Sequence, residues 1–462
     1  MKASRWWRVL AVLFAMSLVA AACGDDDDEP TAQSTDDEPA DDAPADDAEG
    51  GEINMDEELE VAPGTVLPLP DCPGEWDPEE GLTDDTIKIA ISLPESGPVA
   101  ALGQIDDGMR AYFESIEPID GRTFELISRD DAYDPARTLT NTEEMLETDK
   151  PFAFTYMIGT PNNLAIRDLL DEECVPQVFN STGFPAWGDP AEYPWTIGGI
   201  LSYSTEAILW CNYIAEEIGE GTTVAGLFMD NDFGASYQET VEGCAEEGQI
   251  DLIESVTHDP AAPDVTDEIT TLTASGADVI VLGTTGAACP QSMAALAGTD
   301  VIKILSYTCQ GVATYFKPVD PAGDGVLVAV SGKDASMVDD PDVQNAAEVL
   351  EAAGLDINTG SYFTGVIFGH AVEGLFRQAA EMEGGLNRVN LMRAVWNADF
   401  ENPLALEGSS IATSGVDDAY IVEAAQFAQY VAPAAGEELG HYEFLGELIN
   451  LEGETGSVGS GG

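Results

Sequence analysis

The sequence predicts an α/β fold of two lobes, each built on a doubly wound, mainly parallel sheet. The chain has 462 residues, which is long enough for two lobes of ordinary size. From residue 86 onward, short apolar runs typical of strands alternate with segments that have helical periodicity. This alternation occurs as two consecutive series, and repeated strand–helix units place helices on both faces of a parallel sheet.

The first series is expected to form the first lobe, over residues 86–204. Residues 151–158 are a continuous apolar run, which is typical of a strand buried on both faces. The helix that follows is expected to have Thr160 as its N-cap and Pro161 at its first position. The predicted strands are 86–93, 122–128, 151–158 and 175–180, and the predicted helices are 103–116, 135–148 and 161–173.

The second series is expected to form the second lobe, over residues 205–331. Its predicted helices are 205–218, 236–247, 264–275 and 289–297, and its predicted strands are 223–229, 250–257, 278–283 and 301–306. Two later helices, 360–381 and about 388–396, are expected to return to the first lobe, because the second has already been built. The returning parts are expected at about 332–400 for the first lobe and about 401–450 for the second.

The N-terminus has the features of an export signal. Lys2, Arg5 and Arg8 precede a short apolar core at 9–19, and small residues then lead directly into Cys23. This pattern resembles the processing site of bacterial lipoproteins, so residues 1–22 are predicted to be removed and Cys23 to carry lipid. An ordinary secretory signal with a chance cysteine and a membrane anchor are the alternatives. The expected location is the extracytoplasmic face of the cell membrane, either periplasmic or at the cell surface.

The chain is strongly acidic, with a formal net charge of −71. Such a surface repels nucleic acid and anionic membranes, since phosphate binding needs Lys and Arg. Residues 25–60 hold 18 acidic side chains and no basic one, so 23–60 is predicted to be a self-repelling tether. Residues 61–85 are interpreted as an ordered lead-in and 451–462 as a flexible tail. The acidity of the folded part fits cation attraction or a salt-rich habitat, but general solubility is the favoured explanation.

Several short motifs occur in an order that resembles a known family. They are ISLPESGPVAALG at 91–103, DDAYDP at 130–135, GTPNNLA at 159–165, ECVPQ at 173–177, TGFPAW at 182–187 and NDFG at 231–234. Together they resemble type I periplasmic binding proteins, in particular the leucine/isoleucine/valine-binding family of ABC transporter substrate-binding proteins, over roughly residues 84–430. The resemblance implies two lobes joined by hinge crossovers, which close on a small solute and then dock on membrane permease subunits.

The resemblance also implies where the solute binds. In open α/β sheets ligands lie beyond the carboxyl ends of the strands, where helix N-termini offer free N–H groups. The loops expected there contain the proposed ligand-binding residues: Ser96, Leu102, Gly159, Thr160, Ser181, Thr182, Phe233, Thr284, Thr285 and Gln310. Thr160, Ser181 and Thr182 are expected to hold the polar head of the solute, although each could instead only cap a helix or a turn.

Departures from the family pattern affect the solute that is expected. Leu102 stands where the family often has an aromatic residue, and Phe233 stands where a tyrosine is common. No acid lies near Gln310, where amino-acid-binding members pair an acid with the ligand's ammonium group. The missing acid therefore argues against an α-amino acid, while an amide, a carboxylate or another small polar organic solute stays open; the expected solute class is an amino acid, an amide or a carboxylate. The aromatic residues Tyr203, Tyr237 and Trp187 are interpreted as core residues rather than cleft residues.

Six cysteines remain after Cys23, an even number that indicates disulfides in an exported protein. Six cysteines allow 15 connectivities. The implied fold favours the pairs Cys72–Cys174, Cys211–Cys244 and Cys289–Cys309.

Enzyme motifs are missing from the sequence, and no cofactor or metal is expected. The three histidines, His258, His370 and His441, are isolated, and residues 230–232 lack the spacing of a calcium loop. The sequence therefore predicts a non-enzymatic receptor of an ABC importer. The alternatives are a ligand-sensing lipoprotein that reports to a membrane signalling partner, which the same fold would serve, and a secreted enzyme.

Overall fold

A computed structural model of the chain describes residues 53–451, which belong to one compact unit. The predicted signal peptide at 1–22, the lipidation site Cys23, the tether as far as residue 52 and the tail beyond Leu451 lie outside the described residues. Within 53–451, no helix is both long and apolar enough to cross a membrane.

The strands and helices alternate through most of the chain. The strands are β1 (Leu59–Ala62), β2 (Thr65–Leu67), β3 (Thr86–Leu93), β4 (Thr123–Asp130), β5 (Ala153–Thr155), β6 (Gln177–Asn180), β7 (Thr196–Gly198), β8 (Thr222–Met229), β9 (Ile250–His258), β10 (Val279–Gly283), β11 (Ile302–Leu305), β12 (Leu327–Val330), β13 (Asp399–Phe400), β14 (Ile411–Ala412), β15 (Ala424–Val431), β16 (His441–Phe444) and β17 (Ile449–Asn450). The helices are α1 (Ile105–Ser115), α2 (Pro135–Thr148), α3 (Thr160–Glu172), α4 (Tyr203–Tyr213), α5 (Asp232–Glu246), α6 (Thr266–Ser275), α7 (Ala288–Ala295), α8 (Pro341–Ala352), α9 (Tyr362–Glu381) and α10 (Arg388–Val395).

Two large sheets organise the described residues. The first has the strand order β4-β3-β5-β6-β7, and all of its neighbouring strands are parallel. The second has the order β16-β15-β12-β11-β10-β8-β9, with β17 also paired to β15. Its strands are parallel from β9 to β12, whereas β15 and β16 add antiparallel at one edge. The α/β fold with mostly parallel sheets that the sequence predicts is therefore confirmed.

We call each large sheet with the helices packed on it a lobe. Helix α9 packs along α1 on the first lobe, and glycines at the crossing let the two backbones approach closely. A β-carbon added at Gly365 would lie 2.7 Å from the backbone nitrogen of Met109, so a larger residue there would force the helices apart. The helix predicted at 360–381 is therefore present and lies on an element of the first series.

The start of α3 differs from the expectation that Thr160 is its N-cap. Gly159 occupies the capping position with φ of 100°, and Thr160 is already the first helical residue. The hydroxyl of Thr160 does not cap the helix but lies 2.6 Å from the hydroxyl of Thr182. The reason is conformational, because a glycine adopts positive φ without the steric cost that a β-branched residue would incur.

Three disulfides join the six described cysteines. They connect Cys72 with Cys174, Cys211 with Cys244 and Cys289 with Cys309, which are the pairs that the implied fold favours. The first bond ties the lead-in segment to the end of α3, and the other two each link elements within the second lobe.

Candidate functional site

A cleft opens between the two sheets, where the loops at the carboxyl ends of both sets of parallel strands face each other. Its volume is about 670 Å³ including its open mouth. The first lobe contributes residues such as Gly159 and Ser181, which follow β5 and β6. The second lobe contributes Thr285 and Thr308, which follow β10 and β11.

The lining of this cleft is aromatic and uncharged. Six aromatic side chains contribute to it: Tyr133, Tyr203, Phe233, Tyr307, Tyr315 and Phe368. The polar lining residues carry hydroxyl or amide groups, and none of the described residues that line the cleft is charged. The chain as a whole has a net charge of −71, so the uncharged lining contrasts with its average composition. The cleft is therefore suited to hydrogen bonds and apolar contacts rather than to ion pairs.

Six of the ten residues expected to bind ligand lie on this cleft. Both lobes are represented among them: Leu102, Gly159, Ser181, Phe233, Thr285 and Gln310. Phe233, at the start of α5, packs edge-on against Tyr203 with 4.8 Å between ring centres. The cap that starts this helix is Asn231, whose side chain accepts a hydrogen bond from the backbone N–H of Gly234.

Three of the other four expected residues are buried away from the cleft surface. Thr160 and Thr182 bond each other and lie beside the hydroxyl of Tyr203, so they support a lining residue from behind. The hydroxyl of Thr284 lies 2.7 Å from Nε2 of His258 and is fully buried.

The fourth residue, Ser96, is exposed outside the cleft. Its hydroxyl donates to Oδ2 of Asp130 at 2.8 Å, so it stabilises the turn after β3 instead of lining the cleft. Ser96 and Thr284 each follow a strand, as the lining residues do, but each bonds a residue that is distant in sequence. Their position after a strand therefore could not show that they point away from the cleft.

The aromatic residues expected in the core divide between core and cleft. Tyr237 is fully buried and stacked on Trp210, with 4.9 Å between ring centres, and Trp187 is buried beside a small separate recess. Tyr203 instead lines the cleft. Tyr133 also lines the cleft and was not among the residues predicted to do so, although it lies within the DDAYDP motif at 130–135. That motif follows the carboxyl end of β4, which is the signal that would have found it.

Three polar atoms in the cleft are poorly satisfied within the described residues. Oε1 of Gln310 has no hydrogen bond, and the hydroxyls of Thr285 and Tyr315 have only each other or the neighbouring backbone as partners. Buried polar atoms in native proteins are nearly always hydrogen-bonded. These three side chains of the second lobe are therefore candidate contacts for a bound solute.

A buried carboxyl group supports the floor of the cleft. Glu206 on α4 accepts a hydrogen bond from the hydroxyl of Tyr237 at 2.5 Å and from the backbone N–H of Tyr307 at 2.6 Å. Its complete burial raises its pKa to about 8, although these hydrogen bonds act in the opposite direction. At pH 7 it is therefore mostly protonated, and it adds little charge beneath the cleft.

The two lobes also contact each other directly. The backbone N–H of Ala287 in the second lobe donates to the carbonyl of Pro98 in the first at 2.9 Å. Gly286 makes this approach possible, because it has φ of 64° and an added β-carbon would lie 2.9 Å from the same carbonyl oxygen. On another side, the hydroxyl of Thr314 donates to the carbonyl of Gly360 at 2.5 Å. The described conformation is thus one in which the lobes touch.

Among residues 53–451, no cluster of three or more His, Cys, Asp or Glu side chains is arranged to hold a metal ion.

Comparisons with known proteins agree with this geometry. A family model described as periplasmic binding protein matches residues 86–431, which is most of the chain. No curated protein matches the sequence. A branched chain amino acid ABC transporter structure from Thermus thermophilus with bound valine has a TM-score of 0.69 and 18% identity, covering 80% of this chain and 97% of its own.

Two further solved structures are similar over nearly their whole length. A solute binding protein of an ABC transporter from R. palustris, in complex with 4-hydroxybenzoate, has a TM-score of 0.67 and 19% identity, covering 79% of this chain and 97% of its own. A fatty acid ABC transporter substrate-binding protein from Thermomonospora curvata has a TM-score of 0.65 and 20% identity, covering 80% of this chain and 94% of its own. At these identities the likeness shows the two-lobe fold.

Proposed function

The chain belongs to the periplasmic binding protein family, and we propose that it is the solute-binding lipoprotein of an ABC importer. The observation that carries this proposal is the uncharged, aromatic cleft lined from both lobes at the carboxyl ends of their strands. Solved relatives of the same fold are described with valine, with 4-hydroxybenzoate and as a fatty acid transporter component. The proposed cargo is accordingly a small organic solute of the amino acid, amide or carboxylate classes.

The proposed mechanism is closure of the two lobes around the solute. A ligand that contacts both lobes binds the closed state better than the open one, and it shifts the population toward closure by that difference in affinity. Here Ser181 would contact the solute from the first lobe, while Thr285 and Gln310 would contact it from the second. The closed surface would then be the one recognised by the permease subunits in the membrane.

The proposal places the protein on the extracytoplasmic face of the membrane. Three disulfides and the family itself support an extracytoplasmic location. The small residues before Cys23 support lipid attachment, with the acidic segment after it as the tether. Replacing Cys23 with Ala and following the protein between membrane and soluble fractions tests the anchor. Release of the variant is expected, whereas unchanged membrane association would contradict it.

A thermal-shift screen of the soluble body, from residue 53 onward, tests the binding function. Amino acids, amides and carboxylates are each added in large excess. A ligand present at 100 times its Kd stabilises the native state by about 2.7 kcal/mol, which raises the melting temperature measurably. We expect one class to raise it, and Thr285→Ala and Gln310→Ala to reduce that rise. The matched control is Thr270→Ala, an exposed position on α6. A folded protein that no class stabilises would contradict the proposal.

A further inference from the structure

The aromatic rings around the cleft offer a kind of contact that the proposed function does not use. The face of an aromatic ring carries partial negative charge, so it attracts a cation without any ionised partner. This attraction is larger for a cation that has been removed from water. The rings that line the cleft are those of Tyr133, Tyr203, Phe233, Tyr307, Tyr315 and Phe368.

Two of these rings form a nearly perpendicular pair. The ring centres of Tyr203 and Phe233 are 4.8 Å apart, and their planes meet at 89°. The two residues lie near the starts of α4 and α5. A rounded group can contact both rings of such a pair, whereas a flat group stacks on only one of them. The pair therefore favours a rounded solute group over a planar one.

Other rings hold the lining rings in place from behind. Tyr203 lies 5.0 Å from Tyr237, which is itself stacked on Trp210. Phe368 is stacked on Tyr156, with 3.7 Å between ring centres and 6° between ring planes. Side chains that are already fixed lose little freedom when a solute binds, and this lowers the entropic cost of binding.

The charges around the cleft favour a cation over an anion. An adjoining cavity, which shares Tyr307 and Phe368 with the cleft, has Glu423 but no Lys, Arg or His among its described lining residues. Residues 168–302, which supply Phe233, contain no Lys or Arg. An anionic group would lose its hydration here without gaining a basic partner. A cation, in contrast, is attracted by the net charge of −71.

The hydrogen-bond acceptors of the cleft indicate which kind of cation fits. An ammonium group that carries N–H bonds needs an acceptor for each of them when it leaves water. The described lining of the cleft holds no carboxylate, and Oε1 of Gln310 is its one side-chain amide acceptor. A quaternary ammonium group has no N–H and is covered by methyl groups, so ring faces and apolar contacts are sufficient for it. The missing acid near Gln310, which argues against an ordinary α-amino acid, is no disadvantage for such a group.

We propose that the cleft binds a solute with a quaternary ammonium group, which the faces of the lining rings hold between the two lobes. Oε1 of Gln310, which has no hydrogen bond within the described residues, would accept one from a hydroxyl or amide elsewhere on the solute. This inference rests on the proposed function and replaces its broad solute classes with one head group.

Calorimetric titration with three matched probes tests the inference. Choline carries a quaternary ammonium group, its tert-butyl analogue has a neutral carbon in place of the nitrogen, and ethanolamine has the same charge but an ammonium group with N–H bonds. We expect choline to bind at least about 30-fold more tightly than its tert-butyl analogue, which corresponds to about 2 kcal/mol for a desolvated cation on aromatic rings. Ethanolamine should bind at least about tenfold more weakly than choline, because its N–H groups lack acceptors.

The ratio of the affinity for choline to the affinity for its tert-butyl analogue isolates the role of the rings. A variant that only distorts the cleft weakens both probes and leaves this ratio unchanged. Phe233→Leu keeps an apolar side chain but removes a ring, so it should lower the ratio at least about threefold, whereas Phe233→Tyr should keep it. Tyr307→Leu should lower the ratio in the same way and serves as the second variant if Phe233→Leu does not fold. Phe444→Leu, at an exposed position on β16, is the control and should not change the ratio.

Three outcomes would overturn the inference. One is a tert-butyl analogue that binds as tightly as choline, and another is ethanolamine that does so. The third is a ratio that both Phe233→Leu and Tyr307→Leu leave unchanged. The proposed function fails separately. A protein that binds valine or a carboxylate but not choline would remain a solute receptor and would refute only the quaternary ammonium head group.

Discussion

Replacing Glu206 with Gln should change how the stability of the protein depends on pH. The carboxyl group of Glu206 is fully buried, and burial raises its pKa from 4.5 to about 8. In the unfolded chain it ionises near pH 4.5, whereas in the folded protein it stays protonated until about pH 8. Between these values the folded state therefore binds more protons, and the free energy of unfolding falls as pH rises.

The size of this effect follows from the shift. Each pKa unit corresponds to about 1.4 kcal/mol, so the contribution of Glu206 falls by about 1.4 kcal/mol per pH unit between pH 5 and pH 8. The total lost over that range is about 4 kcal/mol. Glutamine has nearly the same shape, and its carbonyl can accept the hydrogen bond from the N–H of Tyr307. It cannot ionise, so the variant lacks this pH dependence.

The assay is urea denaturation of both proteins at pH 5, 6, 7 and 8. The quantity to compare is the free energy of unfolding of the wild type minus that of Glu206→Gln, because other titrating groups cancel in this difference. We expect the difference to fall steadily by about 4 kcal/mol in total and to favour the variant most at pH 8. A difference that stays constant, or that rises with pH, would refute the argument that Glu206 is protonated in the folded protein.

Three further predictions concern closure, a buried cation and a disulfide. Gly286→Ala should weaken solute binding by about tenfold in calorimetry, because its β-carbon obstructs the contact between the lobes. Gly276→Ala is the matched control and should bind normally, because Gly276 has a similar positive φ and open space around it. Arg388→Met should cost about 3 kcal/mol in urea denaturation, since the buried guanidinium donates to the carbonyls of residues 151 and 152, and an unchanged midpoint would contradict this role. Replacing Cys72 and Cys174 together with Ser should lower the free energy of unfolding by about 4 kcal/mol, because their bond closes a long loop with a sequence separation of 102. A loss below about 1 kcal/mol would show that other contacts restrain the loop.

Regular strand–helix repeats made most of the fold predictable from the sequence. Helix α2 has the predicted bounds, because Asp134 caps its first turn and Pro135 sets its first residue. The strand predicted at 151–158 is only Ala153–Thr155 in the structure. The apolar run continues through Tyr156, whose φ of 47° interrupts the regular strand, although the side chains stay buried and Ile158 pairs again with Ser181 in an isolated bridge.

The region after residue 331 was less predictable. Helix α8, capped by Asp340, and strand β15 were not predicted as elements. Strand β15 adds antiparallel to β12, so its position depends on a pairing between segments about 100 residues apart. The periodicity of a sequence indicates which side of a strand is exposed, but it does not indicate which strand is the partner. In this region the regular strand–helix repeats of the first two series have also ended, so they give no help.

The candidate site was predictable in its position but only partly in its residues. Strand-end loops correctly indicated where the cleft lies, and Ser181 and Thr285 line it. Thr160 and Thr182 have the same residue types at similar positions, but they bond each other beneath Tyr203. Which hydroxyl faces solvent depends on the packing of side chains that are distant in sequence. For the same reason Phe368, contributed by a returning helix, could not be placed in the cleft from its sequence position.

Calorimetric titration of a cleft-blocking variant tests the central claim most directly. Ser181 is half-buried and lines the cleft, so Ser181→Trp places an indole ring where the solute is proposed to bind. Thr270→Trp adds the same ring to an exposed position on α6. The solute that gives the largest thermal shift is titrated into the wild type and both variants. We predict one solute bound per chain in the wild type and in Thr270→Trp, and binding at least about 100-fold weaker in Ser181→Trp, a loss of about 2.7 kcal/mol. Undiminished binding by a folded Ser181→Trp protein would show that the solute is not captured between the lobes.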